Sequence, residues 1–166
     1  MNPKGFVNHW SQPEENEPKQ MASILGVTDE SILRELQTLG FTSRTARLLW
    51  LLPGLQVAWA DGYVSLREGE MLLRAACARA ALSDLSAKAM MQRWLEQHPS
   101  ETFFDQALHS IRGILHTINA RDRALLKEDL LAHCHEIAAA SRHLNGMHRR
   151  AMVSENAVIN QIAATL

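Results

Sequence analysis

The sequence predicts an all-α protein, a compact bundle of about seven helices. Apolar residues recur at three- and four-residue spacing along most of the chain, and no segment shows the two-residue alternation of a half-buried strand. Serine, threonine or aspartate precedes most of these apolar segments, where it can cap a helix start. A chain of 166 residues can bury one core without disulfides or metals. We therefore expect a single helical domain.

The first 20 residues differ in composition from the rest of the chain. They contain three prolines and three glutamates between positions 3 and 18. Such a segment cannot bury enough apolar surface to offset the entropy lost on ordering. We predict a flexible N-terminal tail over 1–20 and a helical domain over 21–166.

Capping residues and prolines predict the helices of this domain. Pro53 lacks a backbone donor, so a kink or break is expected near 49–53. In 101–118 the apolar side chains fall on one helical face, which should face the core. The expected helices are a short one capped by Thr28 or Asp29 and ending at Gly40, a second capped by Thr42 or Ser43 and running to Asp61, a third over 66–82, a fourth capped by Ser86 and reaching Gln97, a fifth over 101–118 introduced by Pro99 and Ser100, a sixth over 121–141, and a last one over 155–166 capped by Ser154.

The turn between the second and third helices carries two carboxylates, Asp61 and Glu68. Gly62 suits a backbone with positive φ at the end of the preceding helix. Ser65 followed three residues later by Glu68 is the capping-box pattern of a helix start. The sequence leaves two roles open for these carboxylates. They can terminate and cap helices, or they can contact a divalent cation of the calcium or magnesium class.

An EF-hand calcium loop is excluded, although part of its spacing is present. Asp61, Gly62 and Glu68 would occupy its fifth, sixth and twelfth positions. Its first and third positions would then be Val57 and Trp59, which cannot bind a hard cation. Any cation site here should be shallow and weak, with water or a partner completing the ligands.

The same turn resembles that of the tellurite-resistance TerB-like family. Members of that family carry an apolar helix ending in Ala-Asp-Gly, then a hydrophobic residue, a serine and a glutamate that opens the next helix. The resemblance implies an all-helical, pseudo-twofold domain of bacterial tellurite and stress-response systems, with divalent metal at Asp61 and Glu68. It extends over roughly 42–166 through the helix pattern, but its specific part covers only about a dozen residues. The matching residues are Ala60, Asp61, Gly62, Val64, Ser65 and Glu68.

A faint internal repeat agrees with a pseudo-twofold domain. The stretch 57–61 aligns with 137–141. The second copy has Ser141 and Ala157 where the first copy has its two carboxylates. Only the first copy can therefore offer an acidic site.

The longer connection of the second copy is basic, and it is a candidate contact for a partner or an anion. Its candidate residues are Arg142, His148, Arg149 and Arg150. A solvated loop remains the alternative, since one short cluster in a chain of net charge −1 provides no global field. For the same reason no nucleic-acid partner is expected.

The remaining patterns favour a non-enzymatic cytoplasmic protein. There is no glycine-rich phosphate loop, nucleophile elbow or His-Glu-x-x-His zinc helix. His133 and Cys134 are expected in the core, and a metallohydrolase built on histidines and Asp61 is a remote reading. Two cysteines and no secretory signal favour a reducing compartment. We expect a protein partner and association with a membrane-bound complex, peripheral to the inner membrane; the alternative is a metal-independent interaction module whose carboxylates only cap helices.

Overall fold

The computed structural model describes residues 16–141 and 148–166, with side chains over 16–140 and 152–166. In these ranges the chain is all-helical and has no strand, as predicted. Residues 16–141 and 148–166 contain eight α-helices and one 3-10 helix, one α-helix more than expected. They are α1 Glu17–Leu25, α2 Glu30–Thr38, the 3-10 helix Ala46–Leu51, α3 Leu52–Ala58, α4 Leu66–Ala78, α5 Leu85–Glu96, α6 Glu101–Thr117, α7 Ala120–Ser141 and α8 His148–Thr165.

The additional helix is α1, which begins inside the predicted tail. Residues 17–20, the last four of the predicted tail, are helical. Pro18 lies in the first turn, where a missing N–H costs no helical hydrogen bond. Met21 and Leu25 bury the inner face of the helix, and the Glu17 carboxylate accepts a hydrogen bond from the Ser43 backbone N–H. Residues 1–15 of the predicted tail lie outside the described residues.

Three predicted helix starts are confirmed by their capping hydrogen bonds. The Asp29 carboxylate accepts from the Ser31 N–H at 2.8 Å at the start of α2. The Ser100 hydroxyl accepts from the Phe103 N–H at 3.1 Å at the start of α6. Ser65 caps α4. In each case a short polar side chain satisfies an amide that the helix leaves without a partner.

Three other predicted caps were wrong. Asp84, two residues before Ser86, caps α5 by accepting from the Ser86 N–H at 2.8 Å. Ser154 lies inside α8, because nothing in 148–153 is a glycine or proline that would stop the helix. The helix expected to be capped by Thr42 or Ser43 begins as the 3-10 helix. Its N-cap residue is Thr45, whose side chain makes no capping hydrogen bond. The Ser43 hydroxyl instead donates a hydrogen bond to the Glu17 carboxylate of α1.

The predicted break at Pro53 is confirmed. The 3-10 helix gives way to α3 at Leu52, and Pro53 occupies the first turn of α3. All seven residues of α3 are buried, so this short helix lies at the centre of the fold. It packs against α6, α7 and α8. The polar turn that follows α3 is therefore attached directly to the core.

The core is built from the apolar faces of the helices around α3. The predicted inner face of α6 is buried at Phe104, Leu108, Ile111 and Leu115. The prediction that His133 and Cys134 are core residues is also confirmed, since both are buried on α7. Within the described ranges, no helix combines the length and apolar character needed to cross a bilayer. The pseudo-twofold repeat stays a prediction.

Candidate functional site

The Asp-Gly turn begins where α3 ends. The Trp59 N–H donates to the Leu55 carbonyl at 3.1 Å, and the Gly62 N–H donates to the Trp59 carbonyl at 2.9 Å. Gly62 has φ of 98°, which confirms the predicted need for glycine. The Trp59 indole donates to the Trp94 carbonyl at 2.9 Å, which ties the turn to α5. The backbone hydrogen bonds of the turn and the indole hydrogen bond to α5 together fix the direction in which the chain leaves α3.

Asp61 is partly exposed at the surface of this turn. One of its carboxylate oxygens lies 3.4 Å from the Tyr63 N–H, a long and weak hydrogen bond. Gly62 and Tyr63 are exposed beside it. The acidic side chain is therefore free to meet solvent or a ligand.

Glu68 is buried, with 1% of its surface exposed, and closes a two-way capping box. Its Oε2 accepts a hydrogen bond from the Ser65 N–H at 2.8 Å. The Ser65 hydroxyl accepts in return from the Glu68 N–H at 3.3 Å. The capping box expected from the spacing of Ser65 and Glu68 is confirmed.

The other oxygen of this carboxylate, Oε1, is buried and has no hydrogen-bond partner among the described residues. Burial raises the pKa of Glu68 from 4.5 to about 7, against the opposing effect of the Ser65 hydrogen bonds. The negative charges of Asp61 and Glu155 raise it further. The protonated form of Glu68 is thus stabilised, and its titration moves toward neutral pH.

Glu155 is the residue that sequence reasoning missed. It lies on α8, is buried, and acts electrostatically on Glu68. A signal was present, because Glu155 precedes the buried Ile159 and Ile162 by four and seven residues on one helical face. The sequence predicts the start of the last helix at this position, whereas Glu155 lies inside α8, on its buried face.

The donors at the turn fit a hard cation only in part. Within the described residues, no three His, Cys, Asp or Glu side chains lie together so that they could hold a metal ion. The turn offers the unpartnered Oε1 of Glu68 and the carboxylate of Asp61. Calcium takes about six to eight oxygen ligands, so water or a partner would have to provide most of them.

The predicted basic residues are not brought to this site by any described contact. Arg142 lies outside the described residues. For His148, Arg149 and Arg150 the structure describes only the backbone, which forms the first turn of α8. Their contact with a partner or an anion stays a prediction.

A cleft lies between α4 and α7, with a volume of about 380 Å³. The Arg79 guanidinium and the Asp129 carboxylate pair across it at 2.9 Å. His133 lines its floor, with Nδ1 at 3.8 Å from the Glu136 carboxylate. Burial lowers the pKa of His133, and the positive charge of Arg79 lowers it further, so the imidazole is neutral at neutral pH.

This cleft does not form a nucleophilic site. Nε2 of His133 has no hydrogen-bond partner among the described residues, and its edge of the ring lies against Gly54 of α3. The neighbouring Cys134 is buried, and burial raises its pKa to about 12, which keeps the thiol protonated. An inert thiol and an inward-facing imidazole do not make a catalytic dyad.

Comparisons of this chain with protein-family models, with curated proteins and with solved structures gave no match. The TerB-like resemblance therefore rests on the residues of the Asp-Gly turn and on the helix pattern, and it stays a prediction.

Proposed function

We propose that this chain is a non-enzymatic, TerB-like domain of a bacterial tellurite or stress-response assembly, and that it works by binding a protein partner. In this proposal it acts in the cytoplasm, peripheral to the inner membrane. The observation that carries the proposal is the two-way capping box of Ser65 and Glu68. It supports a turn of fixed shape that presents Asp61 and Tyr63 at the surface.

A fixed turn is useful for recognition because little order has to be gained on binding. Tyr63 is 60% exposed and stands next to the partly exposed Asp61. An aromatic ring beside a carboxylate suits a basic segment of a partner, since the ring and the carboxylate both attract a cationic side chain. The buried Glu68 then contributes to binding only through the shape of the turn.

A second candidate function is weak binding of a divalent cation of the calcium or magnesium class at Asp61 and Glu68. It is favoured by Oε1 of Glu68, which has no hydrogen-bond partner among the described residues. A buried carboxylate oxygen normally accepts a hydrogen bond from a donor. The nearby charge of Asp61 adds to the attraction for a cation. Binding would draw the proton off Glu68, because only the ionised carboxylate is a good ligand.

An NMR titration separates the two candidates. The protein is titrated with calcium, magnesium and manganese, in parallel with Asp61→Asn and with Asp129→Asn as a control in the cleft between α4 and α7. Saturable shifts and manganese broadening over 61–68, lost in Asp61→Asn and kept in the control, would establish the cation site. Without localised shifts, the carboxylates have an architectural role.

The partner-binding proposal is tested at the same turn. A lysine- and arginine-rich peptide library is screened against the protein and against the double variant Asp61→Asn, Tyr63→Ala. Neither substitution touches the capping box, so both proteins should fold. Peptides that bind both proteins equally would contradict a recognition role for the turn.

A further inference from the structure

The outer face of α4 carries an apolar stripe. Leu66, Leu73 and Cys77 stand at positions i, i+7 and i+11, within about 40° of one another on an ideal helix. Leu66 is 83% exposed and Leu73 is 39% exposed. Cys77 is an exposed free thiol at the far end. Leu66 is thus left almost fully open to solvent, and Leu73 is covered only in part by the described chain.

The opposite face of α4 is already in use. Glu68, Leu72 and Ala76 point into the protein and are buried. The helix therefore has two apolar faces, although a helix at the surface of a monomer needs only one. The outer face is one to be covered by another molecule.

Two oppositely charged residues of α4 indicate which charges that molecule should carry. Glu70 lies beside the outer stripe, about 40° from Leu66 on an ideal helix, and Arg74 lies one turn later on the same side; both are exposed. Neither side chain makes an ion pair with a residue in the described ranges. They are thus free for an external partner that offers an arginine and a glutamate at the same spacing.

We propose that a second copy of this chain binds to this face, with α4 packed antiparallel against α4 about a twofold axis. The axis passes between Glu70 and Arg74. Each Glu70 then faces Arg74 of the other copy, and each Leu66 faces Cys77 of the other copy. A parallel arrangement would place glutamate against glutamate, so the charges select the antiparallel one. Such a face is self-complementary, as a twofold interface must be.

The dimer should be weak. One 13-residue helix from each copy buries little surface and lies at the low end of specific interfaces. We therefore expect a monomer–dimer equilibrium in the micromolar to millimolar range, with roughly 10 µM to 1 mM as the window to examine. This inference does not depend on the function proposed for the Asp-Gly turn.

Sedimentation velocity over that concentration window tests the interface by charge exchange. Glu70→Arg and Arg74→Glu, each alone, place like charges opposite each other twice and should raise the dissociation constant about ten-fold. The double variant restores both pairs with the charges exchanged and should recover the wild-type constant. Leu85→Glu, at an equally exposed leucine on α5, is the control that should leave association unchanged.

Disulfide trapping tests the orientation. In Leu66→Cys the introduced thiol faces the native Cys77 of the other copy, and copper-catalysed oxidation by air should link two chains. On one helix these positions are about 16 Å apart, beyond the reach of an intramolecular disulfide. Leu66→Cys combined with Cys77→Ser is the matched control, and it should not form this linked dimer. A monomer at all concentrations, or a dimer that none of the charge variants alters, would overturn the proposal.

Discussion

Replacing Glu68 with glutamine should make the protein less sensitive to alkaline pH. Glutamine is the other residue that closes a capping box, so its side-chain oxygen can still accept from the Ser65 N–H. The substitution keeps the shape of the side chain and removes its charge. It therefore isolates the cost of holding an ionised carboxylate at a buried position.

The magnitude follows from the pKa of Glu68, which burial raises from 4.5 to about 7. At about 1.36 kcal/mol per pKa unit, ionisation costs the folded state on the order of 3 kcal/mol. The folded pKa is higher than the unfolded one. The stability that the protonated side chain contributes is therefore complete below about pH 4.5 and is lost as the pH rises through 7.

Urea unfolding at several pH values between 5 and 9 measures this cost. The difference in unfolding free energy between Glu68→Gln and wild type should shift in favour of the variant by roughly 2.5 kcal/mol from pH 5 to pH 9, since a small part of the cost is already present at pH 5. Glu128→Gln, at an exposed position of α7, is the control and should follow the wild-type profile. Parallel profiles for wild type and Glu68→Gln would refute the assignment of a raised pKa to this residue.

Three further outcomes are expected. Ser65→Ala removes the hydroxyl that accepts from the Glu68 N–H and should lower the unfolding free energy by about 0.5 to 2 kcal/mol, measured by denaturant unfolding; no loss would contradict a stabilising cap. Gly62→Ala should cost about 1 to 2 kcal/mol because φ is 98°, and Gly62→Asn should cost less since asparagine tolerates positive φ better; equal costs would argue against a backbone origin. In a thiol assay with Ellman's reagent, the exposed Cys77 should react in the native protein and the buried Cys134 only after unfolding; two fast thiols would place Cys134 outside the core.

Local signals predicted much of this fold because their physics is local. Asp29, Ser65 and Ser100 cap helices through hydrogen bonds to residues two or three positions away. Pro53 breaks a helix through its own missing donor. None of these effects depends on what the rest of the chain does, so spacing alone was sufficient.

The errors have a tertiary origin. Helix α1 contains Pro18 in a segment of tail-like composition, yet Met21 and Leu25 gain a buried surface that the composition does not reveal. Ser154 has the chemistry of a cap, but α8 begins six residues earlier at His148. Propensity indicates what a residue can do, and packing decides whether it does so.

In the candidate site, one side chain has both a local role that the sequence predicts and a tertiary role that it does not. The role of Glu68 as a cap follows from its spacing to Ser65, and it uses one carboxylate oxygen. The second oxygen has no such local partner, and the pKa of the carboxyl depends on burial against the core and on the charge of Glu155. Glu155 lies 87 residues later in the sequence. Burial is the main cause of the raised pKa, and the negative charge of Glu155 adds to it, so ionisation of Glu68 is costly. A cation at Oε1 would remove this cost by replacing the proton, whereas a purely architectural Glu68 retains it. The alkaline loss of stability should consequently disappear on adding calcium or magnesium only if the turn binds a cation, so the pH profile that measures burial also separates the two proposed functions.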